Sequence, residues 1–188
     1  MAQAKTLTKE ELDRVLEYVK TRRYAQRDRA LILISYYSGL RVGEIALLRM
    51  MDVIHPDGTI KDEIRLSAAQ TKGGHPRTVF VSQKLKVELM AYLATRLVRM
   101  PEIPFFHTDK RLGFSANSLC QWYFWAYRGA GISGASSHSG RRSFITELAN
   151  KNISVRVLAG LAGHKSIAVT QKYIDLNPTM MRNAVELL

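Results

Sequence analysis

The chain has 188 residues, 46% of them hydrophobic, which is enough to bury a core within one domain carrying at most a small appendage. Its 28 Lys and Arg against 16 Asp and Glu leave a net charge of +12, and this points to a polyanionic partner. Nucleic acid fits better than an anionic membrane, because the basic residues are spread along the chain rather than gathered on one amphipathic helix.

Thr8-Lys9-Glu10-Glu11 is a capping box and predicts a helix through about Thr21, with Leu12, Val15, Leu16 and Val19 on one face. A basic strip follows, Lys20-Thr21-Arg22-Arg23 with Arg27 and Arg29, open between a solvated loop and phosphate contact. The apolar run from Asp28 to Ser38 predicts a buried helix that Gly39 ends, and Arg41 enters the next helix, Val42 to Leu48. Between Asp52 and Ser82, short alternating segments are broken by Pro56-Asp57-Gly58 and Gly73-Gly74-His75-Pro76. They predict a three-stranded antiparallel sheet with Lys72 at its second turn. Ser82 caps a helix from Gln83 to about Arg99, stopped by Pro101 and Pro104. Ser115 or Asn117 starts another, through about Arg128. Its Trp122, Tyr123, Phe124, Trp125 and Tyr127 are more aromatic rings than one buried stripe holds, and Cys120 within it is expected as a buried thiol.

Helices are then expected from His138 or Ser139 to Ala149, from Val155 to Leu161, and over an amphipathic segment from Ser166 to Asp175. Asn177-Pro178 breaks the chain before a last amphipathic piece, Met180 to Leu188, with Met181, Ala184, Val185 and Leu188 on one side. The fold class is mainly α with a small antiparallel three-stranded β-sheet (α+β). No apolar run approaches the ~18 residues of a membrane span, and no signal-peptide core follows Met1. A cytoplasmic protein without a membrane partner is therefore expected, nucleoid-associated when on DNA. The single cysteine excludes an internal disulfide or a cysteine metal cluster.

The stretch from His138 to Tyr173 gathers the residue types that phosphoryl transfer on a nucleic acid needs. His138 and Arg141 are spaced to meet one phosphate from one side of a helix entry, and the planar guanidinium can donate two parallel hydrogen bonds to its oxygens. Gly163-His164 follows the apolar run Val157 to Ala162 at a tight turn that aims a second imidazole at the same pocket. Tyr173 follows on the next segment, and a tyrosine hydroxyl becomes a covalent nucleophile when neighbouring cations or a base help remove its proton. At these residues the chain resembles the tyrosine recombinases, or phage-type integrases, whose signature is Arg…Lys…His-x-x-Arg…His…Tyr. The upstream positions are matched by Arg41 within Gly39-Leu40-Arg41-Val42-Gly43-Glu44 and by Lys72 within Thr71-Lys72-Gly73-Gly74.

The resemblance implies a tyrosine recombinase catalytic-domain fold over residues 1–188. No separate N-terminal core-binding domain of the kind the family usually carries is expected, so the chain reads either as an excised catalytic domain or as a short member like the small invertases. It implies site-specific integration, excision or inversion of DNA through a 3′-phosphotyrosyl intermediate. Tyr173 would be the nucleophile, Arg41 and Arg141 the phosphate holders, Lys72 the acid for the leaving 5′ oxygen, His138 the base, and His164 a donor to the phosphate. Glu44 would hold the Arg41 guanidinium, and His75, Arg77, Arg142 and Lys165 are candidate DNA contacts. No cofactor and no metal are implied. The expected partners are double-stranded DNA, further copies of the chain docked through the C-terminal helix, and accessory DNA-bending proteins. A type IB topoisomerase and a binding-only DNA protein are the rival readings. Two positions depart from the family: Gly140 stands where a large apolar residue is usual, which predicts looser local packing, and Arg142 where a second His is often found.

Overall fold

The structure, a computed structural model, describes residues 3–109, 112–173 and 178–186. Helix α1 (Lys9–Lys20) begins at the capping box. The Thr8 hydroxyl accepts from the Glu11 N–H at 3.2 Å, and the Glu11 carboxylate accepts from the Thr8 N–H at 3.1 Å. Its stripe of Leu12, Val15, Leu16 and Val19 is buried against α2 (Ala25–Ser38). Helix α2 starts at Ala25 rather than Asp28 because its polar first turn is itself buried. The Asp28 carboxylate accepts from Arg27 at 2.8 Å and from Arg22 at 2.7 Å, and Arg29 pairs with Glu88 at 2.6 Å. Arg22, Arg27 and Arg29 of the basic strip thus have internal counter-ions.

Leu31, Ile32, Leu33 and Ile34 are all buried, and α2 packs on α5 (Gln83–Ala94) and α7 (Ser139–Asn150) as well as on α1. At Gly140, α7 packs closely on α2: a Cβ there would stand 2.4 Å from the Ser35 Oγ and 2.8 Å from its Cβ. The missing side chain lets the helices approach more closely, so packing is tight here and not loosened. Helix α3 (Val42–Ala46) ends at Ala46 rather than Leu48, and α4 (Met50–Val53) follows.

The sheet has two strands among the described residues, β1 (Glu63–Leu66) and β2 (Arg77–Phe80), antiparallel with Ile64 opposite Val79. The expected third strand is reduced to a single bridge between Ile54 and Ile60. On one side α4 takes the residues that would extend it, and on the other the Pro56-Asp57-Gly58 turn closes at once, with the His55 N–H on the Thr59 carbonyl at 2.8 Å. Helix α5 stops at Ala94, short of Arg99, because its last carbonyls find side-chain donors: the Thr95 hydroxyl on Tyr92 O at 2.7 Å and Arg99 Nη2 on Leu93 O at 3.1 Å.

Helix α6 (Ala116–Gly129), capped by Ser115, divides its aromatic rings. Trp122, Tyr123 and Tyr127 are buried, whereas Phe124 and Trp125 remain 47% and 56% exposed. Cys120 is only half-buried, its Sγ 3.4 Å from the Ser137 Oγ. Then come α8 (Val155–Ala162), α9 (Ile167–Gln171) and α10 (Pro178–Val185). Helix α9 is shorter than the expected Ser166 to Asp175 segment, so Tyr173 stands in the turn beyond it; Asp175, Asn177 and Leu188 lie outside the described residues. Pro178 opens α10 rather than breaking the chain, as proline does at a first helical position. On α10, Met181, Ala184 and Val185 face solvent. No described helix is long and apolar enough to cross a membrane.

Candidate active site

Gly39 ends α2 in the left-handed region, and the turn delivers Arg41 to the N-cap position of α3. Glu44, one turn on and 1% exposed, reaches back to it. Its Oε2 accepts from the Arg41 N–H at 2.8 Å and its Oε1 from Arg41 Nη1 at 2.9 Å, so one carboxylate caps the helix and orients the guanidinium. Arg41 Nη2 also donates to Gly163 O at 3.2 Å. Arg77, expected as a DNA contact, is only partly exposed and forms an internal brace. Its Nη2 and Nε donate to Glu44 at 2.7 and 3.2 Å and its Nη1 to Leu161 O at 3.1 Å, joining β2, α3 and the end of α8. Burial pushes the Glu44 carboxyl up, but Arg77 and then Arg41 outweigh it and hold its pKa below the usual glutamate value.

Arg141, on α7, is 3% exposed. Its Nη1 donates to Gly39 O at 2.5 Å, and its Nη2 lies 2.6 Å from Ala162 O and 2.8 Å from His164 Nε2. A guanidinium only donates, so His164 Nε2 accepts and the ring proton sits on Nδ1, which donates to Thr170 Oγ1 at 2.8 Å. Burial first, then Arg141, Arg41 and Arg77, push the His164 pKa from 6.5 down to about 4, leaving the ring neutral near pH 7. The same burial, with Arg41 and Arg77 nearby, pulls Arg141 down to about 10, still charged. Gly163 ends α8 with φ 62°, and a Cβ there would come within 2.5 Å of the Arg77 Cδ; the turn before His164 therefore needs glycine. Two guanidiniums, Arg41 and Arg77, thus share the Glu44 carboxylate, and Arg141 beside them has no carboxylate partner among the described residues, leaving the cluster with excess positive charge.

A cleft of about 640 Å³ opens in front of this cluster, lined by Arg41, Arg77 and His164 and rimmed by Lys72, His75 and Lys165. Lys72, His75 and Lys165 are exposed, and Lys72 makes no hydrogen bond or ion pair among the described residues. His138, at the N-cap position of α7, borders an adjoining hollow of about 360 Å³ shared with Arg41, Glu44 and Lys72. Its ring has no hydrogen bond among the described residues. Partial burial, then Arg141, Lys72 and Arg41, push its pKa below the ordinary 6.5 even though the residue is solvent-accessible.

Tyr173 adjoins His164, which lines the cleft: the tyrosine ring is stacked on the imidazole at 5.6 Å between centroids and 24° between planes. Arg142, expected to face DNA, turns towards Tyr173: its guanidinium carbon lies 5.5 Å from the ring centroid, and its Nε donates to Thr6 Oγ1 at 3.1 Å. Sequence reasoning missed Thr170, buried on α9 between His164 and Tyr173. Its signal was a polar residue on the inward face of a short apolar helix. Among the described residues, no group of three or more His, Cys, Asp or Glu could hold a metal ion.

The Phage integrase family model matches residues 5–180. Tyrosine recombinase XerA of Pyrococcus furiosus is 30% identical over 184 residues, which span 97% of this chain and 61% of that protein. The fold is similar to a crystal structure of XerA recombinase, with a TM-score of 0.79 and 24% identity over 100% of this chain and 66% of that one. It is also similar to XerH site-specific recombinase bound to a palindromic difH substrate in a post-cleavage complex, with a TM-score of 0.73 and 22% identity over 96% of this chain and 51% of that one.

Proposed function

Because the chain belongs to the phage integrase family, we propose that it carries the strand-cutting chemistry of a tyrosine-type site-specific DNA recombinase, with Tyr173 as nucleophile. The observation that carries this reading is the excess of guanidinium over carboxylate at the cleft, with a tyrosine stacked on the His164 ring that lines it. Buried cations without counter-ions are costly, and a phosphodiester would supply the missing charge.

In this mechanism Arg41 and Arg141 hold the non-bridging oxygens. Arg141 suits the task, since its contacts with Gly39, Ala162 and His164 leave Nε and one Nη1 proton without a partner among the described residues. The Tyr173 oxygen bonds to phosphorus, the bond from phosphorus to the 5′ oxygen breaks, and Lys72 protonates that oxygen. His138, with an unoccupied ring and a lowered pKa, takes the tyrosine proton. A 5′-hydroxyl from a second strand then reverses the step and rejoins the DNA. His164 steadies Arg141 and lies against Tyr173. Donation from its Nε2 to the phosphate would require that nitrogen to gain a proton and part from Arg141. Double-stranded DNA is the substrate, and the solvent-facing Met181 and Val185 of α10 support self-association on it.

The test is a nicked suicide substrate carrying a validated target site, run with wild type and Tyr173→Phe on a denaturing gel. A covalent protein–DNA band from wild type alone is expected. Binding without an adduct would leave a DNA-binding protein in its place.

A further inference from the structure

Tyr173 stands in a turn, and α7 is the element that reaches it. Arg142 and Thr146 are one helical turn apart on α7 and share a face. The Thr146 hydroxyl donates to the Tyr173 carbonyl at 3.2 Å, while the Arg142 guanidinium lies over the ring at 5.5 Å. That guanidinium is itself fixed, its Nε held by Thr6 at 3.1 Å. The Tyr173 hydroxyl has no hydrogen bond among the described residues, so the ring is located by its faces and its backbone.

We propose that Arg142 and Thr146 form a two-point clamp on Tyr173, with Arg142 as the positioning residue that holds the ring beside His164. The assignment rests on the reading of Tyr173 as nucleophile. A planar cation suits this role because it lies against an aromatic face and leaves the hydroxyl uncovered. The clamp also gives consecutive residues of one helix different tasks. Arg141 points inward to Gly39 O and Ala162 O, and Arg142 points to Tyr173, so a single rigid element sets both the phosphate holder and the attacking ring. The distance between them is then fixed by α7 rather than by two independent loops.

Single-turnover cleavage of the suicide substrate and DNA affinity would be measured for wild type, Arg142→Met, Arg142→Lys and Thr146→Val. Fluorine NMR of fluorotyrosine-labelled protein without DNA, with the Tyr173 line assigned by Tyr173→Phe, reports the ring directly. Arg142→Met is expected to slow adduct formation about 10-fold while affinity changes less than about 2-fold. Arg142→Lys is expected to recover part of the rate, and the Tyr173 line to move and broaden in Arg142→Met and Thr146→Val. Weaker binding with an unchanged cleavage rate would make Arg142 a phosphate contact and overturn the clamp, as would an unchanged rate with an unchanged Tyr173 line. Should wild type give no adduct, the nucleophile reading fails, and the NMR line alone decides whether the clamp exists.

Discussion

Arg41, Glu44, Arg77, Arg141 and His164 each make at least two hydrogen bonds, whereas Lys72, the His138 ring and the Tyr173 hydroxyl make none among the described residues. Arg41, Arg77 and Arg141 are locked to carbonyls at the ends of α2 and α8, and Glu44 and His164 to those arginines; the second group sits on a hairpin turn, a helix entry and a turn past α9. The division follows the chemistry proposed for each. Groups that stabilise a growing negative charge act best when already oriented, because reorientation during the reaction adds to the barrier. Groups that move a proton or attack change their bonding as they act, and fixed partners would oppose that change.

Removing one member from each half should have opposite effects on rate and stability. Lys72→Ala is expected to slow single-turnover cleavage by about 10²–10⁴-fold while shifting stability by less than about 0.5 kcal/mol, since Lys72 is exposed and has no partner among the described residues. A substrate with a sulfur leaving group needs no proton and is expected to restore the rate; absence of that rescue would remove Lys72 from the acid role. Glu44→Ala is expected to behave in the opposite way. It strands the Arg41 and Arg77 guanidiniums, 25% and 10% exposed, and is expected to cost about 3 kcal/mol. In a chain of this size the melting temperature would fall by roughly 10 °C, and cleavage would fall with it as Arg41 loses its orientation. Normal stability in Glu44→Ala would contradict a preorganised half.

Acid should loosen the locked half as well. His164 has a folded pKa near 4 against an ordinary 6.5, so between these values the unfolded chain binds a proton that the folded chain refuses. Stability should therefore be full above about pH 6.5 and decline as pH falls towards 4. Glu44 adds its own loss only below its ordinary 4.5, as its lowered folded pKa is approached. A His164→Asn variant is expected to flatten the upper part of this slope, leaving there the share of His138, whose pKa is also lowered, and to keep the lower part, read by urea titrations across pH.

Within the locked half, local contacts are legible in the sequence and distant ones are not. The Glu44 grip on Arg41 was legible because residues three apart on a helix meet by local geometry. The caps at Thr8, Ser82 and Ser115 were legible for the same reason. The place of Arg77 was not, since its partners Glu44 and Leu161 come from distant parts of the chain and a turn-flanking arginine looks like surface. Gly140 shows the same limit: its value lies in Ser35 on another helix, which no spacing within α7 reveals. Strand existence was legible at β1 and β2, but the third strand was lost to α4, a choice that tertiary packing makes over local alternation.

Two glycines give the smallest expected effect and separate helix stiffness from site geometry. Gly140 and Gly160 both lie inside helices, yet a Cβ at Gly160 would meet nothing within 4 Å, whereas one at Gly140 would strike Ser35. Gly160→Ala is therefore expected to stabilise the protein by roughly 0.5–1 kcal/mol, or about 2–3 °C in melting temperature. Helix α8 supplies the Leu161 and Ala162 carbonyls that hold Arg77 and Arg141. If the locked half is already rigid in the native state, stiffening α8 should leave single-turnover cleavage within about 2-fold of wild type. A larger gain in rate would mean that α8 loosens before the reaction, and that the locked half is assembled only in part until DNA arrives.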